Sequence, residues 1–253
     1  MLFYRQRDRN VVYSVIGRDV WYSLEYLQIL CRDELIVGNK RRMKKMLYIM
    51  GKEIDTQASQ TLYAPEMTAE TLEADWEISG GNWRAEDGWF IGVCRKDGGG
   101  LIYSKAQYPG DILLDFRAKT IPPCNNDLNF TWKTSGWDYK HDDAIDGYIA
   151  GLNGWWENKV GIERYPDWSP MTASPLFPMK SGQVYHIQAG DIAGHCFVCV
   201  DGKLVIEMKD PNYTTLPNNR VGLGTYCSQV AFTDLKIKQI SWKPRTLRYI
   251  ANF

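Results

Sequence analysis

The chain has 253 residues, and no apolar run in it approaches the roughly 20 residues that span a bilayer. A secretory leader finds equally little support. Lys44 and Lys45 precede only Met46 to Met50, whereas a secretory h-region has roughly 7–15 apolar residues. These absences lead to the expectation of a cytoplasmic protein with no membrane partner, whose six cysteines are reduced thiols. Histidine is scarce: His141, His186 and His195 are the only three, too few to favour a multi-histidine metal centre. There is no G-x-S-x-G, no H-E-x-x-H, no P-loop and no G-x-G-x-x-G opening a helix. An excess of either charge is missing too. The 30 Lys+Arg and 30 Asp+Glu cancel, so the chain as a whole gives no reason to expect nucleic acid.

What the chain does have is aromatic residues and glycine. Ten Trp, 15 Tyr and 22 Gly, with short apolar runs, suit an all-β fold. Charge is uneven along its length. Residues 1–45 hold 10 Lys+Arg against 5 Asp+Glu, and "NKRRMKK" is a basic run with nothing aromatic interleaved, the pattern of a solvated segment. Residues 1–60 therefore read as a separate N-terminal extension, non-β and helical or poorly ordered. Within it, "RDVWYSLEYLQILCRDELI" spaces Val20, Leu24, Leu27 and Leu30 as one face of an amphipathic helix.

From Leu62 the texture changes. Short alternating segments such as "DWEIS", "WFIGVC", "ILLDFRAK", "DLNFTWK", "HCFVCV" and "VAFTDLKIKQISW" are separated by "SGGN", "KDGGG", "YPGD" and "LPNN". Asp201-Gly202, between "HCFVCV" and "KLVIEM", is the turn that a tight hairpin requires. About a dozen strands without helical spacers predict an antiparallel two-sheet jelly-roll sandwich over residues 61–244, followed by a tail, 245–253.

The stretch "GQVYHIQAGDIAGHCFVCVDGKLVIEMKDPNY", with "NNRVGLGTYCSQVAFTDLKIKQI" after it, resembles the closing strands of concanavalin A-like lectin/glucanase jelly rolls. "WEISGGNWRAEDGWFIGVCRKDGGGLIYSKAQYPGDILLDFRAK" resembles the opening of bacterial 3-keto-disaccharide hydrolase-like domains of that superfamily. The resemblance covers residues 62 to 243 and implies the jelly-roll fold. It implies no catalytic residues, because the E-x-D-x-x-E or E-x-D-x-E run of laminarinase-type glucanases does not occur.

Chemistry must then come from side chains that alternation places on one polar face. In "NDLNFTWK", Leu128, Phe130 and Trp132 point one way; Asp127, Asn129, Thr131 and Lys133 point the other. By the same rule Asp115 and Arg117 share a face, as do Lys159 and Glu163, and His186 alternates with Tyr185 and Ile187. If these strands are neighbours, Arg117, Asp127, Asn129, Lys159 and Glu163 meet on a groove floor near Trp132, Trp137, Tyr148, Trp155 and Trp156, with Asp115 as a reserve carboxylate, Lys159 or Arg164 to hold a substrate carboxylate and His186 as a candidate general base. Indoles stack on pyranose faces and carboxylates and amides bind hydroxyls, so this set points to a carbohydrate ligand. Asp127 and Glu163 are the candidate catalytic pair, since glycoside hydrolysis commonly uses two carboxylates. Three readings are open: a hydrolase or lyase on a mono- or oligosaccharide derivative, a non-catalytic sugar-binding module, and a protein-interaction domain. No cofactor is expected; a Ca²⁺ site at the acidic loop of Asp138, Asp142, Asp143 and Asp146 is the minority alternative to plain solvation. Cys196 and Cys199 face opposite sides of a strand, which argues against a shared metal ion.

Overall fold

The computed structural model describes residues 4–7, 10–15, 18–23, 46–94, 99–138, 140–141, 143–154, 159–175 and 177–246. The chain divides into two compact units, Met1–Lys44 and Lys45–Phe253. The first contains β1 (Tyr4–Arg7), β2 (Asn10–Val15) and β3 (Arg18–Ser23), an antiparallel meander in which Val12 opposes Trp21 and Tyr13 opposes Val20. The expected helix is therefore a strand over residues 18–23, and Leu24, Leu27 and Leu30 lie outside the described residues. Val, Trp and Tyr at consecutive positions favour the pleated conformation over the helical one.

The second unit begins before the predicted boundary, with β4 (Met46–Ile49), β5 (Lys52–Asp55), β6 (Gln60–Tyr63), α1 (Ala69–Asp75), β7 (Trp76–Ser79), β8 (Asn82–Glu86) and β9 (Trp89–Val93). Thr68 caps α1, its hydroxyl accepting from the Thr71 amide. Next come β10 (Gly99–Ser104), β11 (Ile112–Thr120), β12 (Leu128–Thr134), β13 (Trp137–Asp138), β14 (Asp143–Ala144), β15 (Gly147–Leu152), β16 (Val160–Tyr165) and β17 (Met171–Ser174). The chain closes with β18 (Tyr185–Ile192), β19 (His195–Val200), β20 (Lys203–Lys209), β21 (Arg220–Tyr226), β22 (Gln229–Gln239) and β23 (Trp242–Pro244).

These strands form two large antiparallel sheets. One has the order β17-β16-β15-β12-β21-β10-β7, the other β20-β19-β18-β11-β22-β9-β8 with β6 added against β22. Phe116, Phe130, Trp132, Tyr148, Ile162, Ile187, Leu223 and Phe232 fill the space between them. Alternation explains which residues go there: on β12, Leu128, Phe130 and Trp132 face inward, as the pleat dictates. Asp201-Gly202 makes the β19–β20 turn, both with positive φ.

A third, small sheet of β23-β5-β4 adds a layer. Its Leu47, Ile49 and Ile54 pack on Leu113, Ile192, Phe197 and Cys199. Those four project from the opposite face of β11, β18 and β19 to their core-facing neighbours. That is why "HCFVCV" is apolar almost throughout: the eight-stranded sheet is covered on both sides here. Cys196 lies in the main core and Cys199 under the third sheet, on opposite faces as expected. The outward face of the seven-stranded sheet has no such cover from β4 and β5.

Candidate functional site

On that outward face the ladders bring residues into rows. Leu101, Gly224, Asn129, Gly151 and Gly161 stand opposite one another across β10, β21, β12, β15 and β16. The next row is Tyr103, Gly222, Thr131, Ile149 and Glu163. Four glycines in two adjacent rows remove the side chains that would fill the middle of the sheet. At two of them the space is taken sideways: a Cβ on Gly224 would lie 2.7 Å from Leu101 Cγ, and one on Gly222 would lie 2.9 Å from Tyr103 Cδ1. The result is a cleft of about 490 Å³ lined by Asp127, Asn129, Glu163, Trp137, Trp168 and Tyr226 among others.

Its floor is polar and buried. Glu163 is fully buried and Asn129 is 8% exposed; Thr131, in the row beside Asn129, is buried too but does not line the cleft. Among the described residues, neither Asn129 Oδ1 nor Thr131 Oγ1 has a hydrogen-bond partner. Buried acceptors of this kind ordinarily find a partner from protein, water or ligand. The walls are aromatic. Tyr165 and Trp168 lie with ring centroids 5.4 Å apart, and Trp168 is 46% exposed. Trp137 lies over Gly99, where an added Cβ would come within 3.2 Å of the indole. Asp127 enters β12 with φ +53°, a left-handed conformation that Asp tolerates. Asn126 Nδ2 donates to its carboxylate at 2.7 Å. Burial pushes Asp127 up to about 6, and the Asn126 hydrogen bond only partly offsets it. No Lys, Arg or His lines the cleft among the described residues.

The predicted site is thus half assembled. Asp127, Asn129, Glu163 and Trp137 come together. The ladders set how far apart the backbones of the two carboxylates stand. Asp127 N donates to Asn153 O, while Glu163 opposes Ile149, so the two lie four residues apart along the ladder and two strands apart across it. At ~3.3 Å per residue and ~4.8 Å per strand this is about 16 Å between Cα atoms.

Other expected members lie elsewhere. Asp115, Arg117 and His186 belong to β11 and β18 of the eight-stranded sheet. There His186 Nε2 is 2.7 Å from Asp115 Oδ1, Lys238 Nζ is 3.1 Å from Asp115 Oδ2, and Arg117 Nε is 3.3 Å from Asp234. Burial disfavours the charge on Asp115, but the His186 hydrogen bond and Lys238 outweigh it and hold the carboxyl at about 2. Alternation assigns a side chain to a face but not to a sheet, and a jelly roll sends these strands to the other layer. Trp132 and Tyr148 are core residues, and the Tyr148 hydroxyl donates to Asp210. Arg164 follows Glu163, so it faces inward, where it pairs with Asp210 at 3.1 Å and donates to Thr215. A β-bulge after Trp132 also diverts Lys133, whose Nζ donates to Gly110 O and lies 3.7 Å from Asp191. Lys159 is half-buried just before β16 and is not among the cleft-lining residues. Trp155 and Trp156 lie outside the described residues.

Sequence reasoning missed Leu101, Tyr165, Trp168 and Tyr226. A signal for one existed: in "RVGLGTY", Gly222, Gly224 and Tyr226 alternate onto a single face. In the acidic loop, Asp146 accepts from Ser135 and Asn218, and Asp138 accepts from the Lys140 amide and His141. Among the described residues no three His, Cys, Asp or Glu group as metal ligands, and Asp142 of that loop lies outside the described residues. No helix is long and apolar enough to cross a membrane among the described residues.

No protein-family model and no curated protein matches the sequence. Solved structures do. A Bacillus subtilis protein of unknown function with a galectin-like fold superposes with a TM-score of 0.56 at 13% identity, covering 72% of this chain and 96% of its own. The Emp46p carbohydrate recognition domain gives 0.53 at 14% identity, over 69% of this chain and 95% of its own. The carbohydrate-binding module CBM66 from Bacillus subtilis gives 0.50 at 18%, over 68% and 97%. The fold is the concanavalin A-like jelly roll. At these identities the likeness extends to architecture alone.

Proposed function

We propose that this jelly roll binds an uncharged carbohydrate in the cleft of its seven-stranded sheet. The observation that carries the reading is the joining of a buried acceptor, Asn129 Oδ1, and the Asp127 and Glu163 carboxylates with exposed indole and phenol faces at the walls. A pyranose presents hydroxyl donors at its edge and C–H groups on its face, so one ring satisfies both sets at once. The absence of a cation among the described lining residues favours a neutral sugar over a uronide or sulfated one. Carbohydrate recognition by Emp46p and CBM66, on the same architecture, supports the reading by analogy.

Binding is the first reading because the cleft joins a buried amide oxygen, Asn129 Oδ1, with exposed aromatic walls. One observation favours a second reading. Asp127, held at about 6, is poised to donate or accept a proton near neutrality, as a transfer or elimination step on a bound sugar would need. The resemblance to 3-keto-disaccharide hydrolase-like domains belongs to that second reading.

The test is a calorimetric titration of the purified chain with neutral oligosaccharides, repeated on Trp168→Ala. Trp168 is exposed, so the substitution should weaken binding about tenfold, the worth of a stacked ring, while leaving the melting temperature in place. Binding that survives Trp168→Ala and Asn129→Ala unchanged would refute the cleft as the site. New reducing ends or unsaturated products after long incubation would favour the second reading.

A further inference from the structure

A different face carries a second arrangement with chemical content. Lys52, at the start of β5 in the third sheet, reaches across to the outward face of β19. Its Nζ lies 2.8 Å from His195 Nδ1, and His195 Nε2 lies 2.9 Å from Glu207 Oε2. A lysine ammonium has only donors, so Nδ1 accepts and the ring proton sits on Nε2, donating to Glu207. Glu207 is itself held by the Met50 amide at 3.0 Å. Carboxylate, imidazole and nucleophile therefore stand in the order of a proton relay, with an amine where a hydroxyl or thiol is more familiar.

The surroundings favour the reactive forms. Burial, then repulsion from Lys209, lowers Lys52, while Glu207 and Asp111 pull the other way. Burial, then Lys52, lowers His195 and keeps its imidazole neutral, although Glu207 opposes this. His195 is 8% exposed, Lys52 is half-buried, and the Trp242 ring, 40% exposed, stands 5.6 Å from Nζ. The amine is thus accessible while its base is sheltered.

We propose that Lys52 is a nucleophilic amine, activated by His195 and Glu207, and that it is a site of Nε-acylation by small acyl thioesters. His195 Nδ1 takes one proton from the Lys52 ammonium, and Glu207 stabilises the imidazolium. The freed Nζ lone pair attacks the thioester carbonyl carbon. The C–N bond forms, the C–S bond breaks, and the thiolate leaves with the electron pair. A second amine proton passes to the thiolate, so the products are an amide on Lys52 and a free thiol, with no oxidant or reductant involved. The site is independent of the cleft, which lies on the other large sheet.

The experiment exposes the whole chain to S-acetyl-N-acetylcysteamine at pH 7.5 and follows acetylation of each lysine by peptide mass spectrometry. The expected result is acetylation of Lys52 at least about tenfold faster than of the exposed Lys203 and Lys236, because a positioned general base contributes roughly a hundredfold or more. Glu207→Gln and His195→Gln should each bring Lys52 down to the rate of Lys203. Labelling of Lys52 no faster than Lys203 in the wild-type chain overturns the proposal, and so does fast labelling that both variants leave intact. Should a variant fail to fold, the wild-type chain decides: Lys52 must be labelled faster than both Lys203 and Lys236, and labelling no faster than theirs overturns the idea.

Discussion

Replacing Asp127 by Asn isolates the cost of keeping an acid in the cleft. Burial raises the Asp127 carboxyl from its ordinary 3.8 to about 6, so the folded chain binds this proton more tightly than the unfolded chain. The stability this contributes is fully present below about pH 3.8 and is lost as pH rises through about 6. Above that, the ionised group opposes folding. The separation between the two values corresponds to about 3 kcal/mol, and partial contact with water makes 2–3 kcal/mol the working figure. Asn keeps the size, tolerates the left-handed φ of +53° and carries no charge. Asp127→Asn should therefore stabilise the protein at pH 7.5 by about 2–3 kcal/mol, or about 4–12 °C in melting temperature. At pH 3.5 the variant and the parent should melt together. Calorimetry at the two pH values reads this directly. A variant less stable than the parent at pH 7.5, or one shifted equally at both pH values, would refute the claim that desolvation of this carboxylate governs its ionisation.

The opposite sign is expected at Asp115. Its carboxyl is held at about 2 by His186 and Lys238 against the cost of burial, so its stabilisation is present above about pH 4 and lost as pH falls through 2; Asp115→Asn should cost about 2 kcal/mol in urea denaturation at pH 7 and little at pH 2. Because the cleft carries the Asp127 and Glu163 carboxylates, an oligouronide should bind at least about tenfold more weakly than its neutral counterpart at pH 7.5, and equal affinities in matched titrations would remove the charge argument. Phe130 is fully buried and packs edge-on to Phe116 at 5.3 Å, so Phe130→Ala should lower unfolding free energy by about 3–5 kcal/mol; a loss under 1 kcal/mol would mean the two sheets do not share this core.

Much of the sandwich is legible because strand alternation and turn chemistry are local. Leu128, Phe130 and Trp132 enter the core, and Asn129 and Thr131 face out, as a period of two demands. The same logic failed where a fact beyond the strand intervened. The bulge after Trp132 sends Lys133 away from Asn129 and Thr131, towards Asp191, and nothing in "TWKTSG" announces it. Asp115 and His186 pair as expected of neighbours, but on the wrong sheet for the cleft. In the first unit, "RDVWYS" satisfied a helical spacing through Val20 and yet pairs as a strand, since ladder partners on β2 lie outside any short window.

The sequence by itself determined which side chains stand on which face of each strand, where the chain turns, and that an all-β sandwich results, because these follow from backbone sterics within a few residues. Tertiary structure alone decided which strands become neighbours, and hence that Asp127, Asn129, Glu163 and Trp137 share one cleft while Asp115, Arg117 and His186 lie on another sheet. It also decided that glycines from β15, β16 and β21 align beside Asn129 to hollow that cleft. Sheet order is a long-range choice, made by how two sheets and a covering third layer bury their apolar faces together, and no local pattern encodes it.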